Sequence, residues 1–305
     1  MQDQSNWFIK SFSIHGGIIP VVLPRAFVFG VLAIGVMVLY RYQPQLPWDF
    51  CQYLVNNVAI NLILGLLLVF RTNTAYERFW EGRKAWGEII TNIRDLLREL
   101  DGAKIIQEGS TQPQHQAMVW LVALAIATKS HLRQDLKPEH FETLLTHVEF
   151  SKLEASVHPP LLILRWLEDF NAHRISVESR ELFRERFAAL TAGITGCERI
   201  VNTPLPFAYA IFLRQSILIY CFFLPFGLVA TLTWGIIPLT IFVSFFLLGV
   251  EAIAAEIENP FGEDENDLPL DELCRKITAE AKEYGILKAQ LKAQDEPLTE
   301  IRVTL

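Results

Sequence analysis

Long stretches without charge alternate with polar stretches along this chain. No charged residue stands between Asp49 and Arg71, and none stands between Arg214 and Glu251. About 20 apolar residues form a helix long enough to cross a bilayer. The first stretch therefore predicts one crossing. The second is too long for one, which predicts two crossings joined by a turn at Thr233–Gly235, where a glycine follows an interfacial tryptophan.

An earlier apolar run, Ala26–Tyr40, is the remaining candidate for a crossing. At about 1.5 Å per residue it covers about 22 Å, whereas the hydrocarbon core is about 30 Å thick. It spans the membrane only if Ile18–Leu23 contribute, or if Arg25 and Arg41 extend to the interface. Glycine and proline residues before position 25 argue against a continuous helix there.

The stretch before Arg71 continues without proline into a polar run, which predicts one helix from about Leu54 to about Leu100. Its first half is apolar and its second half is rich in charge. Apolar side chains recur every four residues and so share one face: Val58, Leu62, Leu66 and Phe70. A small and polar stripe lies beside them: Asn57, Asn61 and Gly65. Each stripe either packs against neighbouring helices or lines a pore.

The section between the charge-free stretches has helical periodicity and no strand alternation. Its apolar run Ala117–Ala127 is too short to cross a bilayer, which predicts a buried helix of a bundle. A further helix is predicted at Leu270–Ala293. The predicted fold class is therefore an all-α membrane protein with four transmembrane helices and a large cytoplasmic helical region. The predicted divisions are an N-terminal segment (1–25), two transmembrane helices (26–70), the cytoplasmic region (71–206), two more transmembrane helices (207–255) and an acidic loop with a C-terminal helix (256–305).

The distribution of basic residues predicts the orientation. The cytoplasmic region opens with Arg71, Arg78, Arg83 and Lys84, whereas the short linkers on the other side carry only Arg41. Basic residues accumulate on the cytoplasmic side of membranes. We therefore expect an integral, multi-pass protein of a bacterial inner or thylakoid-type membrane, with both termini in the cytoplasm.

Composition narrows the functional classes. The chain has 305 residues, of which 51% are hydrophobic and 20% charged, and a formal net charge of -7 argues against nucleic acid as a partner. Its four cysteines are widely spaced and predict no disulfide or metal framework. No motif of hydrolases, nucleotide-binding enzymes or zinc proteases occurs, so we do not expect an enzyme.

The segment Glu258–Glu272 is strongly acidic. It places seven carboxylates behind a proline and a glycine. Such a run is either a solvated loop or a Ca²⁺ site, because Ca²⁺ prefers carboxylate and carbonyl oxygens. Asp264 and Asp267 are the candidate ligands, and the spacing is not that of an EF-hand.

Four segments together resemble the bestrophin family, in the form seen in bacterial and thylakoid members. They are FRTNTAYERFWEGRKAWG (Phe70–Gly87), HPPLLILRWL (His158–Leu167), CERIVNTPLPFAY (Cys197–Tyr209) and ENPFGEDENDLPLDEL (Glu258–Leu273). The resemblance implies a homopentameric ion channel with four transmembrane helices per subunit. It also implies one central pore with a hydrophobic neck followed by a cytoplasmic aperture.

The resemblance also assigns roles to particular residues. The neck corresponds to Leu62, Leu66 and Phe70, where family members carry Ile or Phe at the first two positions. The aperture corresponds to Ile200. A calcium clasp corresponds to the side chains of Asp264 and Asp267 and the backbone carbonyls of Glu256 and Asn259. Ca²⁺ is thus the expected cofactor, with a regulatory or structural role.

The function expected from these features is passive conduction of anions, with chloride and bicarbonate as the permeant ions. A sodium-selective channel of the same family is the alternative, since an apolar neck carries no charge that decides the sign. A secondary transporter would require inverted repeats with broken helices. A membrane-anchored enzyme or scaffold would require a polar constellation in the cytoplasmic region, and the sequence shows neither feature.

Overall fold

The computed structural model describes residues 16–102 and 112–284, and their fold is all-α, as predicted. Ten α-helices are described, with 3₁₀ turns at Pro138–His140 and Thr233–Gly235. The helices are α1 (Ile19–Tyr42), α2 (Trp48–Asn56), α3 (Val58–Gly102), α4 (Gln112–Arg133), α5 (His147–Glu154), α6 (Pro159–Arg174), α7 (Val177–Asn202), α8 (Phe207–Leu232), α9 (Ile236–Ile257) and α10 (Leu270–Glu283). The end of the helix predicted at Leu270–Ala293 lies outside the described residues.

Three segments of the described chain are long and apolar enough to cross a membrane: Ile19–Tyr42, Val58–Gly102 and Phe207–Ile257. The first begins earlier than the prolines suggested. Pro20 lies in the first turn of α1, where its missing N–H has no intrahelical partner to lose, and the helix continues through Pro24. With residues 19–25 the helix reaches 24 residues, about 36 Å, which is enough to cross a hydrocarbon core.

The prediction of one helix from Leu54 onward was wrong at its start. Asn57 is extended, with φ -70° and ψ 113°, and it separates α2 from α3. Its side-chain oxygen accepts the backbone N–H groups of Ala59 (3.0 Å) and Ile60 (3.3 Å), as an N-capping residue does. From Val58 the helix runs unbroken for 45 residues, about 68 Å.

The chain forms two compact units. Of the described residues, the first comprises 16–80 and 203–267, and the second comprises 81–102, 112–202 and 268–284. In the first unit, α1 packs against α8 and α9, and α2 packs against α8. The α2–α8 contact requires Gly227, because a Cβ there would lie 2.6 Å from a Val55 methyl group and 2.8 Å from the Cys51 carbonyl oxygen.

In the second unit, α4 packs against α6, α7 and α10. The apolar run Ala117–Ala127 lies within α4, and most of its side chains are fully buried, which confirms it as an interior helix of a bundle.

One carboxylate joins α10 to the last two turns of α4. Asp271 accepts hydrogen bonds from Lys129 and Arg133, each at 2.7 Å. The Lys129 hydrogen bond, followed by that of Arg133, lowers the pKa of the Asp271 carboxyl to about 2 against the effect of burial. The Lys129 side chain is nearly buried, so it depends on this partner for its charge.

We expect Asp271→Asn to destabilise the protein at pH 7 by at least about 1 kcal/mol, because it leaves a nearly buried ammonium without its counter-ion. Each kcal/mol of lost stability should lower the Tm by about 2–4 °C in a protein of this size. Since the folded pKa lies below the ordinary 3.8, the contribution is present above about pH 4 and is lost as the pH falls towards 2. Thermal unfolding of both proteins at several pH values should therefore converge in acid.

Glu272→Gln is the matched control. Glu272 pairs with Lys276 one turn later on the exposed face of α10, and such surface pairs contribute little to stability. Equal effects of the two substitutions would contradict the role assigned to Asp271.

Candidate functional site

The predicted neck residues lie on the uncovered side of α3. Leu62, Leu66 and Phe70 are 68%, 50% and 54% exposed within one subunit. The opposite side of the helix, at Leu64 and Leu68, is buried. It packs against residues of α8: Leu213, Ile217 and Cys221. The helix thus presents an apolar face that the rest of the described chain leaves largely exposed.

The two asparagines of the neighbouring polar stripe, Asn57 and Asn61, form hydrogen bonds with backbone groups. Asn57 caps α3, and the Asn61 amide donates to the carbonyl oxygen of Val55 at 3.0 Å. That carbonyl lies in the last turn of α2, where a helix cannot satisfy it internally. The two asparagines therefore hold the break between α2 and α3, and this accounts for polar residues in an apolar stretch.

A buried ion pair follows the neck face directly. Arg71 is 1% exposed, and its Nη2 donates to Glu258 Oε2 at 2.7 Å. The other oxygen of Glu258 accepts the backbone N–H of Leu205 at 3.1 Å. Arg78 adds hydrogen bonds to the carbonyl oxygens of Glu258 (3.3 Å) and Thr203 (2.7 Å). Three segments far apart in the chain are joined here: α3, the start of α8 and the end of α9.

The charge on Glu258 is maintained by its donors. Burial alone would raise the pKa of this carboxyl, but the Leu205 N–H and the Arg71 guanidinium together outweigh it and lower the pKa. Sequence reasoning assigned Arg71 only to the orientation of the membrane helices. Nothing in the local sequence indicates a partner so distant in the chain.

A second ion pair joins α8 to α9. Arg214 Nε lies 2.6 Å from Glu251 Oε1, and the Glu251 side chain is largely buried while that of Arg214 is about half exposed. These are the residues that bound the second charge-free stretch, so its two ends meet in the fold.

The predicted calcium ligands lie in a turn closed by its own hydrogen bonds. Asp267 Oδ2 accepts the backbone N–H of Asp264 at 2.8 Å, and the Asp267 N–H donates to the Asp264 carbonyl at 3.0 Å. Asn266 donates to Glu256 Oε1 at 2.7 Å and to the Gly16 carbonyl oxygen at 3.1 Å. Asn259 Oδ1 is oriented towards the N–H of Phe261.

A calcium clasp would use the same side chains that close this turn. Asp267 uses one carboxylate oxygen to close the turn. In the described ranges 16–102 and 112–284, the side chains whose ligand atoms come close enough for one metal ion are His131, His158 and Glu198, and not the aspartates of this turn. Calcium binding at Asp264 and Asp267 thus stays a prediction.

The predicted aperture residue, Ile200, lies near the end of α7 and is 3% exposed. Other residues of the same chain cover its side chain almost completely. A residue that lines an opening must reach the opening, so the role of Ile200 also stays a prediction.

If the turn binds calcium, Ca²⁺ should raise the thermal unfolding temperature of the protein and a chelator should lower it, because a ligand bound only to the folded state stabilises that state. Replacing Asp264 and Asp267 together by Asn should abolish both responses. Glu139→Gln with Glu142→Gln removes two exposed charges elsewhere and should leave them intact. A wild-type melt that responds neither to Ca²⁺ nor to chelator would establish the solvated-loop interpretation.

Comparison with known proteins places the chain in a family. Residues 1–283 match the family model described as bacterial/fungal bestrophin protein. The voltage-dependent anion channel-forming protein of Nostoc sp. (strain PCC 7120 / SAG 25.82 / UTEX 2576) is 37% identical over 298 residues, which cover 96% of both chains. A protein of the same description from Synechocystis sp. (strain ATCC 27184 / PCC 6803 / Kazusa) is 39% identical over 279 residues, 87% of each chain.

The fold leads to the same family. The crystal structure of a bacterial bestrophin homologue from Klebsiella pneumoniae superimposes with a TM-score of 0.74 at 26% sequence identity, covering 85% of this chain and 97% of that one. The resemblance noted in the sequence is thus confirmed over most of the chain. This protein belongs to the bestrophin family.

Proposed function

We propose that the protein is an anion channel that conducts passively through one central pore formed by five identical subunits. The observation that supports this most directly is the uncovered apolar face of α3 at Leu62, Leu66 and Phe70. Relatives over nearly the full length are named as voltage-dependent anion channel-forming proteins, which supports the choice of anions.

The face has the properties of a hydrophobic gate. Placed around a symmetry axis, identical copies of the three side chains would form a narrow apolar tube, which water leaves readily. A head-to-tail interface that closes into a ring creates such an axis.

We further propose four crossings in each subunit. Helices α8 and α9 have 26 and 22 residues, which correspond to about 39 and 33 Å, and each can cross a hydrocarbon core alone. The 3₁₀ turn at Thr233–Gly235 separates them where the sequence predicted a turn. With α1 and α3 this gives an even number of crossings, and the basic residues from Arg71 to Lys84 favour a cytoplasmic location for both termini.

The proposal predicts unitary currents when the purified protein is incorporated into planar bilayers. Under a tenfold KCl gradient, a chloride-selective pore should reverse near the chloride equilibrium potential, about 59 mV from zero. A reversal potential of the opposite sign would establish a cation-selective channel, and its persistence when NaCl replaces KCl would support the sodium alternative. Flux that depends on a coupled ion would establish a transporter. Native mass spectrometry of the same preparation should give five times the mass of one chain.

Replacing Leu62, Leu66 and Phe70 together by Ala should produce a channel that is open most of the time. The substitution widens the proposed tube and removes apolar wall from every subunit, so a continuous water column is no longer disfavoured. Selectivity should change little because no charge is altered. Single-channel open probability and reversal potential measure the two effects.

The chain offers a matched control for this variant. Leu218, Ile219 and Phe222 of α8 have similar size and exposure, but they lie outside the proposed neck. Their replacement by Ala should leave open probability unchanged. The neck assignment fails if its triple variant gates like wild type, and a change in conductance on Asn61→Ala would move the pore to the polar stripe.

A further inference from the structure

Three potential metal ligands, none of them predicted from sequence, converge in the second unit. His131 lies in the last turn of α4, His158 directly precedes α6, and Glu198 lies in α7. One oxygen of Glu198 lies 2.9 Å from Nε2 of His131 and 2.5 Å from Nε2 of His158. The centroids of the two imidazole rings are 4.5 Å apart. One ligand atom from each of the three residues lies within 4.8 Å of the other two.

We propose that His131, His158 and Glu198 bind a divalent transition-metal ion of the Zn²⁺ class. Two imidazole nitrogens and one carboxylate oxygen form a ligand set that Zn²⁺ accepts with a water molecule in the fourth position. In a tetrahedral site with bonds of about 2.1 Å, neighbouring ligand atoms lie about 3.4 Å apart. The Glu198 oxygen therefore needs to move away from each imidazole nitrogen by less than about 1 Å, which small side-chain rotations achieve.

The site has room and a partner for the fourth ligand. A cavity of about 350 Å³ lies beside the cluster and is lined by both His131 and Glu198. A water molecule occupies about 30 Å³. Ser130 lines the same cavity, is 1% exposed, and its hydroxyl has no hydrogen-bond partner among the residues described. A metal-bound water would provide that partner, so this otherwise unexplained polar atom supports the site.

Local backbone contacts position the two histidines in the absence of an ion, and the contact at His158 is exchanged when an ion binds. After α4, the N–H of Asp135 donates to the Ser130 carbonyl at 2.9 Å, while Gln134 adopts a positive φ of 54°, as in a Schellman motif. This turn fixes the end of the helix that carries His131. His158 accepts the N–H of Leu161 at its Nδ1 and thereby caps α6.

The hydrogen bond between His158 and Leu161 must be given up when a metal ion binds, and its loss is the local free-energy cost of binding. Because Nδ1 accepts a hydrogen bond, the ring proton of neutral His158 lies on Nε2, where it faces Glu198. An ion on Nε2 requires this proton to move to Nδ1, which gives up the Leu161 contact. At 3.3 Å that contact is long for an N–H···N hydrogen bond, so the loss is small.

An ordinary hydrogen-bonded cluster is the competing explanation, in which protons occupy the place of the ion. It predicts that the three residues stabilise the protein equally with and without metal. A bound ion would instead connect α4, α6 and α7 directly and would stabilise the folded state in proportion to its occupancy.

The test uses the full chain in detergent, stripped with a chelator and titrated with ZnCl₂ by calorimetry. We expect one Zn²⁺ per chain and a rise in Tm. His131→Gln retains a donor to Glu198, and Glu198→Gln retains an acceptor, so both variants conserve the hydrogen bonds. Substituting a residue that only hydrogen-bonds to a metal ligand typically weakens metal binding about 10- to 100-fold. Because His131 and Glu198 are proposed as ligands themselves, each variant should weaken Zn²⁺ binding by more than this. His173→Gln, on the exposed side of α6, is the matched control and should bind as wild type does.

Cobalt substitution gives an independent measurement on the wild-type protein. Co²⁺ in a tetrahedral site of nitrogen and oxygen ligands absorbs visible light far more strongly than octahedral Co²⁺ in water, so the titration should produce an intense spectrum. Wild type that binds Zn²⁺ no more tightly than both ligand variants, or Co²⁺ that retains its weak aqueous spectrum, would overturn the proposal.

Discussion

The buried pair of Arg71 and Glu258 is the constraint on which the organisation of the first unit depends. A guanidinium cannot lose its proton in a protein, so a nearly inaccessible arginine requires a fixed anion beside it. Glu258 provides that anion from the end of α9 and accepts the Leu205 N–H as well. The segments before α8 and after α9 are thus held against the helix that carries the neck face. Two further nitrogens of Arg71 have no hydrogen-bond partner among the described residues, which suits a pair that determines geometry more than it adds stability.

Features encoded locally could be predicted from sequence. The turn at Thr233–Gly235 and the buried helix at Ala117–Ala127 follow from length and hydropathy alone, and the structure shows both. Two helix starts could not be predicted in this way. The first turn of α1 tolerates Pro20 because no hydrogen bond is lost there, and Asn57 interrupts a helix without any proline because its side chain replaces the backbone acceptor.

The candidate sites also differ in whether local sequence or contacts between distant segments determine them. The spacing of Leu62, Leu66 and Phe70 places them on one face of any helix, so the face is visible in sequence. That its reverse side packs on α8 depends on contacts between distant segments, which no local pattern contains. The cluster of His131, His158 and Glu198 is the extreme case. Its members have no motif spacing and meet only because α4, α6 and α7 pack together.

The ion pair after the neck also bears on selectivity. Arg71 follows Phe70 directly, and from sequence alone it would be the nearest cation to the proposed tube. Its pairing with Glu258 makes the two charges neutral together, so their combined field falls off faster than that of a single charge. Arg78 is likewise engaged with the carbonyl oxygens of Thr203 and Glu258. In the proposed channel, an uncharged neck followed by a neutralised arginine would leave selection between anions and cations to groups farther along the pore. A variant of the proposed neck would then alter gating without altering selectivity.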